Sequence, residues 1–353
     1  MDMPTDCSVV ASLDEAIRLT APGTALRHAL DMIIAGNLGA LICVGDSDRV
    51  LAAGNDGFPL HISFTANRLF ELSKMDGAIV IDRDLTQIMR ANFHLNPDAS
   101  LPTTETGMRH RTAARMSLLT NAMVISVSER RQVVNIYVNG RSYQIRTVAE
   151  LMTRVSQLLA TLQTTRQLLD RSLLRLTSLE LDNYVTLGDI ASIYSQFELL
   201  SATDQNLQDI IAQLGVEGRT VEMQRMQLVG DMDSEYSLMI RDYASSSTVE
   251  QAHKIREQFQ SLAAKNELDI KNIAYVLGYE DRKEDSVMVP LGLRTLSRIS
   301  VVREGMADKI VDEYGSLQEL LDDIQQNPER LDEIGVRNSV ILADSLLKMH
   351  GRQ

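Results

Sequence analysis

Val133-Val134-Asn135-Ile136-Tyr137-Val138, Asn139-Gly140, Arg141-Ser142-Tyr143-Gln144-Ile145 is the stretch that decides the fold class of the N-terminal part. Two β-rich runs joined by Asn-Gly predict an antiparallel hairpin, because Asn and Gly tolerate the positive φ that two-residue primed turns demand. Upstream, the short apolar runs 123–127, 78–81 and 39–46 read as buried strands, the last ending in a turn. Helical periods lie between and before them. Ser12-Leu13-Asp14-Glu15 has the spacing of a capping box and opens a helix toward Leu19. Pro22-Gly23 breaks that helix, and an apolar period resumes over 25–34. Strands interleaved with helices predict an α/β domain with a mixed sheet.

Proline placement marks where this pattern ends. Of seven prolines, five fall at or before Pro102, and none follows until Pro290. A proline-free span of that length permits long helices, since an interior proline costs ~3 kcal/mol. From Thr147 onward Val148, Leu151, Val155, Leu158, Leu162, Leus 169 and 173, and Leu176 recur at three, four and seven residues, the pattern of one long amphipathic helix. Shorter helical stretches continue to about Tyr279, and 280–289 reads as a charged linker. Beyond it, 296–314, 317–324 and 336–348 predict short helices with tight turns at Gly315 and Gly335. The expected organisation is therefore multidomain, α/β followed by all-α: a mixed-sheet domain over 1–146, a helical spine over 147–289, and a C-terminal module of paired short helices over 290–353. A length of 353 residues agrees with more than one core.

Composition removes several function classes. No apolar run approaches the ~20 residues that span a bilayer, and no secretory signal is visible at Met1-Asp2-Met3-Pro4. Cys7 and Cys43 are isolated and fit free thiols in a reducing cytosol, so a cytoplasmic protein without membrane contact is expected. A net charge of −13 argues against binding nucleic acid with the whole surface. The excess is uneven: 14 basic and 16 acidic side chains in 1–150, 13 and 21 in 151–289, 8 and 11 in 290–353. Any nucleic-acid contact must then be local. The six histidines include no pair at ligand spacing, and no P-loop, complete dinucleotide fingerprint or nucleophile elbow is present.

Two segments remain as candidates for chemistry. Met75-Asp76-Gly77-Ala78 places a carboxylate and a glycine before a buried strand, where a backbone can approach a ligand and an Asp can point into a cleft. On its own, Asp-Gly is more often plain turn chemistry. Glu105-Thr106-Gly107-Met108-Arg109-His110-Arg111-Thr112 sets two arginines around a histidine at the start of a helical stretch, 112–122. Helix N-termini and guanidinium groups both favour phosphate, although a lone triplet also fits a solvated basic face. Ser128-Glu129-Arg130-Arg131 adds charge at a third strand end.

Paired, Asp76-Gly77-Ala78 and Arg109-His110-Arg111 resemble the two signatures of the diadenylate cyclase family. The order of parts is similar to that of the DNA integrity scanning proteins: cyclase domain, helical spine, helix-hairpin-helix module. The resemblance covers essentially the whole chain and is supported by Gly39-Ala40-Leu41-Ile42, by Arg68-Leu69-Phe70-Glu71-Leu72, and by Gly315-Ser316-Leu317 near the end. It implies condensation of two ATP molecules into cyclic di-AMP and two pyrophosphates. By the same resemblance, Asp76 activates the 3′-hydroxyl and holds a divalent metal, Mg²⁺ or Mn²⁺. Gly77 and Leu95 line the nucleotide site, and Met108, Arg109, His110, Arg111 and Thr112 hold the triphosphate. Two cyclase domains face each other in a homo-oligomer, an octamer in the family. The C-terminal module implies contact with branched DNA without sequence preference, through Arg294, Arg298, Gly335 and Arg337, with Arg330 adding to a local basic patch.

Three positions depart from the family pattern. Met108 stands where threonine is usual, Ala114 where Glu is usual, and Glu333 where the hairpin turn usually has glycine. A carboxylate in that turn repels phosphate, so DNA binding is expected to be weak. Two other readings compete with the cyclase: a DNA-binding scaffold, and an ATP sensor with a non-catalytic cyclase domain.

Overall fold

The computed structural model describes residues 12–246, 248–279, 282–302, 305–326, 331 and 339–350. Its first part runs α1 (Leu13–Leu19), α2 (Ala25–Ala35), β1 (Ala40–Val44), α3 (Ser47–Ala52), β2 (Gly54–Asn55), β3 (Phe58–Ser63), α4 (Ala66–Leu72), β4 (Ala78–Ile81), β5 (Gln87–Leu95), α5 (Met108–Leu119), β6 (Met123–Ser128), β7 (Val133–Val138) and β8 (Arg141–Ile145). The strands form one eight-stranded mixed sheet in the order β2-β5-β4-β1-β6-β7-β8, with β3 also on β5. β1 pairs parallel to β4 and antiparallel to β6, so it is the strand at which direction changes. The hairpin forms at the expected turn: Val138 pairs with Arg141, and Asn139 and Gly140 carry φ of 49° and 74°.

Both faces of the sheet are covered, which is why β1, β4 and β6 read as continuous apolar runs. Ile42, Val44, Ile79, Ile81, Ile125 and Ile136 pack on one side with Leu26, Ala29, Leu30 and Ile33 of α2. On the opposite side Leu41, Cys43, Val80, Phe93, Val124 and Tyr137 pack with Ala113, Ala114 and Met116 of α5. Burial there pushes the Cys43 thiol up to about 12, so it stays protonated and inert. Ser12 caps α1 by accepting from the Glu15 amide, as its spacing predicts.

Then follow α6 (Val148–Leu181), α7 (Leu187–Leu214), α8 (Arg219–Val229), α9 (Met232–Tyr243), α10 (Val249–Ala264), α11 (Ile270–Leu277), α12 (Leu293–Ser297), α13 (Met306–Tyr314), α14 (Leu317–Gln326) and α15 (Ser339–His350). The expected long helix is α6, 34 residues, with Leu151, Val155, Leu162, Leus 169 and 173, and Leu176 all buried. At ~1.5–3 kcal/mol for each buried leucine, this stripe outweighs helix propensity as the reason α6 is ordered. The described residues fall into two compact units, one of residues up to 156 with 208–223, the other of 157–207 with those from 224 onward.

Two expectations gain detail here. Residues 282–289, expected as a charged linker, are pinned by backbone pairing. Leu187 and Gly188 donate to Ser286 O and Glu284 O, Met288 donates to Val185 O, and Met288 is buried. A buried methionine and a paired backbone anchor this charged segment. The stretch 296–314 divides into α12 and α13, and Gly305, at φ 74°, caps the start of the second. Gly315 turns the chain after α13 at φ 73°, while Gly335 lies outside the described residues.

Candidate active site

Strand β4 begins immediately after Asp76-Gly77, and the turn before it is held against β5. Gly77 has φ +88°, and a Cβ there would sit 2.8 Å from the carbonyl carbon of Asn92 and 2.9 Å from the amide of Phe93. Only glycine lets the two backbones come this close. Asn92 itself takes φ 50° and donates through Nδ2 to Asp76 O at 2.8 Å. The β4–β5 register shifts at the same place, between Ala78–Phe93 and Val80–Arg90, so a bulge re-aims the strand end. The Asp76 carboxylate is left exposed, with no side-chain hydrogen bond among the described residues.

Across from this turn, α5 begins at Met108, four residues before the expected start, and Gly107 is its N-cap. Glycine offers no side chain to the first amides, and the first turn contains no acidic residue, so the free N–H groups face a site for an anion. Arg109 lies over Gly39, where a Cβ would collide with its guanidinium. Behind α5, His110 Nδ1 lies 3.0 Å from the Tyr137 hydroxyl, which donates to Glu105 Oε1 at 3.0 Å.

Between turn and helix lies an open cleft of about 940 Å³. It brings together Asp76, Gly77, Leu95, Met108, Arg109, His110 and Thr112 of the expected set. Leu41, Ala78, Phe93 and Val127 supply an apolar wall, and Ser128, Glu129 and Arg130 a polar rim. Arg111 is exposed and does not line this cleft. Met108 is 79% exposed at the mouth, whereas Ala114 is buried under the sheet, where a Glu would need a partner. Sequence reasoning missed Asn92 and Phe93 because it did not identify β5. An Asn between apolar residues was the available signal for a bulge.

One expected DNA contact is overturned. Arg294 is 2% exposed and forms an ion pair with Glu180, itself fully buried, and its Nη1 donates to Leu173 O at 3.4 Å. A guanidinium held in the core cannot reach a phosphate. Arg298 is partly buried beside Glu235, 3.9 Å away. Gly335, Arg337, Arg330 and Glu333 lie outside the described residues.

Comparison with known proteins defines the class first. The model described as DisA bacterial checkpoint controller nucleotide-binding matches residues 27–142, the segment that carries sheet and cleft. A second, the DisA bacterial checkpoint controller linker region, matches 145–286. The chain is 37% identical over 335 residues to the DNA integrity scanning protein DisA of Symbiobacterium thermophilum, covering 95% of each. It is 37% identical over 338 residues to that of Corynebacterium glutamicum, covering 94% of this chain and 92% of the relative. To that of Acetivibrio thermocellus it is 34% identical over 337 residues, covering 95% and 93%. The chain belongs to the DisA family, and it is a diadenylate cyclase. Among the described residues no helix is long and apolar enough to cross a membrane.

Proposed function

We propose that each cleft binds one ATP and that two clefts, facing each other in a homo-oligomer, condense the pair into cyclic di-AMP. The observation that carries this is the opposition of the Asp76-Gly77 turn, across one cavity, to the N-terminus of α5, whose amides no capping side chain covers. The apolar wall of Leu41, Phe93 and Leu95 suits a base, and Arg109, His110, Thr112 and the α5 amides suit a triphosphate. In each half-reaction the 3′-oxygen of one nucleotide bonds to the α-phosphorus of the other. The α–β bridging bond breaks, and pyrophosphate leaves with its electron pair. Asp76 takes up the hydroxyl proton, and Arg109 and His110 balance charge on the phosphates, so that positioning and electrostatics do most of the work.

The product is two-fold symmetric and one cleft holds one nucleotide, so a dimer of facing domains is the minimum and an octamer the expected assembly. Asp76 also fits a divalent cation, Mg²⁺ or Mn²⁺. Such ions are commonly held by one or two carboxylates plus substrate phosphates, and the described residues contain no cluster of three acidic, His or Cys groups to enclose one. When bound, the cation would neutralise charge on the phosphates. Incubating the protein with ATP and either cation, then separating the nucleotides by chromatography, tests the reading. Cyclic di-AMP is expected, while unchanged ATP would favour the sensor.

Arg109→Ala should weaken ATP binding by ~10–100-fold, the worth of one charge-assisted contact. Arg111→Ala should cost less, since that side chain lies outside its own cleft. Equal losses by calorimetry would mean that Arg111 swings in.

The three-part division at 146/147 and 289/290 and the identity of the C-terminal helices as a helix-hairpin-helix module belong to the same proposal. The relatives' name, DNA integrity scanning protein, supports DNA contact there. With Arg294 withdrawn into the core, binding is expected to be weak and non-specific, and to fall steeply with salt. Fluorescence anisotropy on branched and linear duplexes, comparing wild type with Glu333→Gly, checks this. Tight, salt-insensitive binding by wild type, or no gain from glycine, would contradict it.

A further inference from the structure

Three side chains behind the cleft form a chain in which each proton's place is forced. Tyr137 is 1% exposed on β7, Glu105 lies on the loop before α5, and His110 is in the first turn of α5. The phenol oxygen is 3.0 Å from both Glu105 Oε1 and His110 Nδ1. An ionised carboxylate can only accept, so the single phenolic proton goes to Glu105. Having donated that proton, the phenol can only accept from the imidazole, and Nδ1 must carry a hydrogen. Burial, then the Glu105 hydrogen bond and charge, hold the phenol well above its ordinary pKa, so it remains a neutral donor. His110 Nε2 has no partner among the described residues.

We propose that Glu105 and Tyr137 are positioning residues that lock His110 in its Nδ1–H tautomer, so that a further proton taken up by the ring goes to Nε2 and is donated from there to the nucleotide phosphates. The role of Nε2 rests on ATP occupying the cleft, as proposed above, but the tautomer does not. A simple packing role for Tyr137 predicts no dependence of the imidazole on Glu105. The proposal predicts a particular one. Glu105→Gln keeps an accepting oxygen, so the tautomer should stay. Glu105→Leu removes the acceptor and frees the phenolic proton to turn toward Nδ1, so His110 should invert to Nε2–H.

The test is the imidazole ¹⁵N spectrum of the full-length protein labelled at histidine, with the His110 signals assigned by their loss in His110→Asn. Wild type and Glu105→Gln should show Nδ1–H, Glu105→Leu should show Nε2–H, and Tyr137→Phe should lose the fixed pattern. In turnover, Tyr137→Phe and Glu105→Leu should each lower kcat by about 10–100-fold, the usual cost of removing an orienting partner, and Glu105→Gln by no more than a few-fold. An Nε2–H tautomer in wild type would overturn the proposal. So would an Nδ1–H tautomer that survives in Glu105→Leu. The ring spectrum decides the question even if ATP is not turned over, in which case the functional reading fails and the tautomer assignment stands on its own.

Discussion

Replacing Asp76 by asparagine will lower cyclic di-AMP formation by about 10²–10⁴-fold, the range expected when a positioned general base is lost, and will leave ATP binding largely intact. The side chain keeps its shape, and the turn does not depend on its charge: what ties the turn to β5 is the Asp76 carbonyl and the Asn92 amide, with Gly77 against the β5 backbone. Binding should survive because the phosphate-holding groups come from α5, across the cleft. Calorimetry with ATP alongside a turnover assay separates the two effects. Turnover within a few-fold of wild type would remove Asp76 from the mechanism.

The second large effect is on stability, and it lies far from the cleft in sequence. Arg294→Met should destabilise the helical unit by about 3–5 kcal/mol, the cost of leaving a buried charge without its partner. Glu180 is fully buried and accepts from Arg294, from Thr295 Oγ1 at 2.9 Å and from the Tyr243 hydroxyl at 2.7 Å. Beside it, the Asp242 carboxylate accepts the Gly292, Leu293 and Arg294 amides and so holds the start of α12. Burial and the neighbouring Glu180 carboxylate push Asp242 up to about 7, outweighing those amides and the Arg294 charge. A carboxyl whose pKa is higher folded than unfolded binds its proton more tightly when folded. Its contribution is therefore present below the unfolded value of about 4 and is lost as pH rises through the folded value. Removing Arg294 raises the folded value further, so the deficit should widen between about pH 6 and 9, as wild-type Asp242 ionises and the variant's does not. Thermal unfolding of wild type and variant across that range checks this. A deficit that does not change with pH would mean that Asp242 is not coupled to Arg294.

These two sites differ in how much of them could be read in advance. Strands β1 and β4 were legible as wholly apolar runs, β6 as an apolar run broken only by serines, and the β7–β8 hairpin by its Asn-Gly turn. Strand β5 was not, since Gln87, Arg90, Asn92 and His94 interrupt its apolar residues and its bulge at Asn92 breaks the alternation that marks a strand. With β5 went Phe93, part of the apolar wall, and the anchor of the Asp76 turn. The functional loop and helix start were legible as residue types, but the start of α5 moved four residues upstream because Gly107 serves as its N-cap. Arg294 misled for a different reason. A cation near a basic patch reads as solvated, and its partner Glu180 is 114 residues away, a pairing that no local spacing reveals.

The most direct test of the central claim is the stoichiometry of phosphorus during turnover, followed by ³¹P NMR as the protein consumes ATP with Mg²⁺ or Mn²⁺. Condensation between two facing clefts predicts one pyrophosphate per ATP and two per cyclic di-AMP, with a phosphodiester signal growing as the α-, β- and γ-phosphate signals of ATP disappear. ADP with inorganic phosphate, or a linear dinucleotide accumulating with one pyrophosphate per pair of ATP molecules, would contradict it.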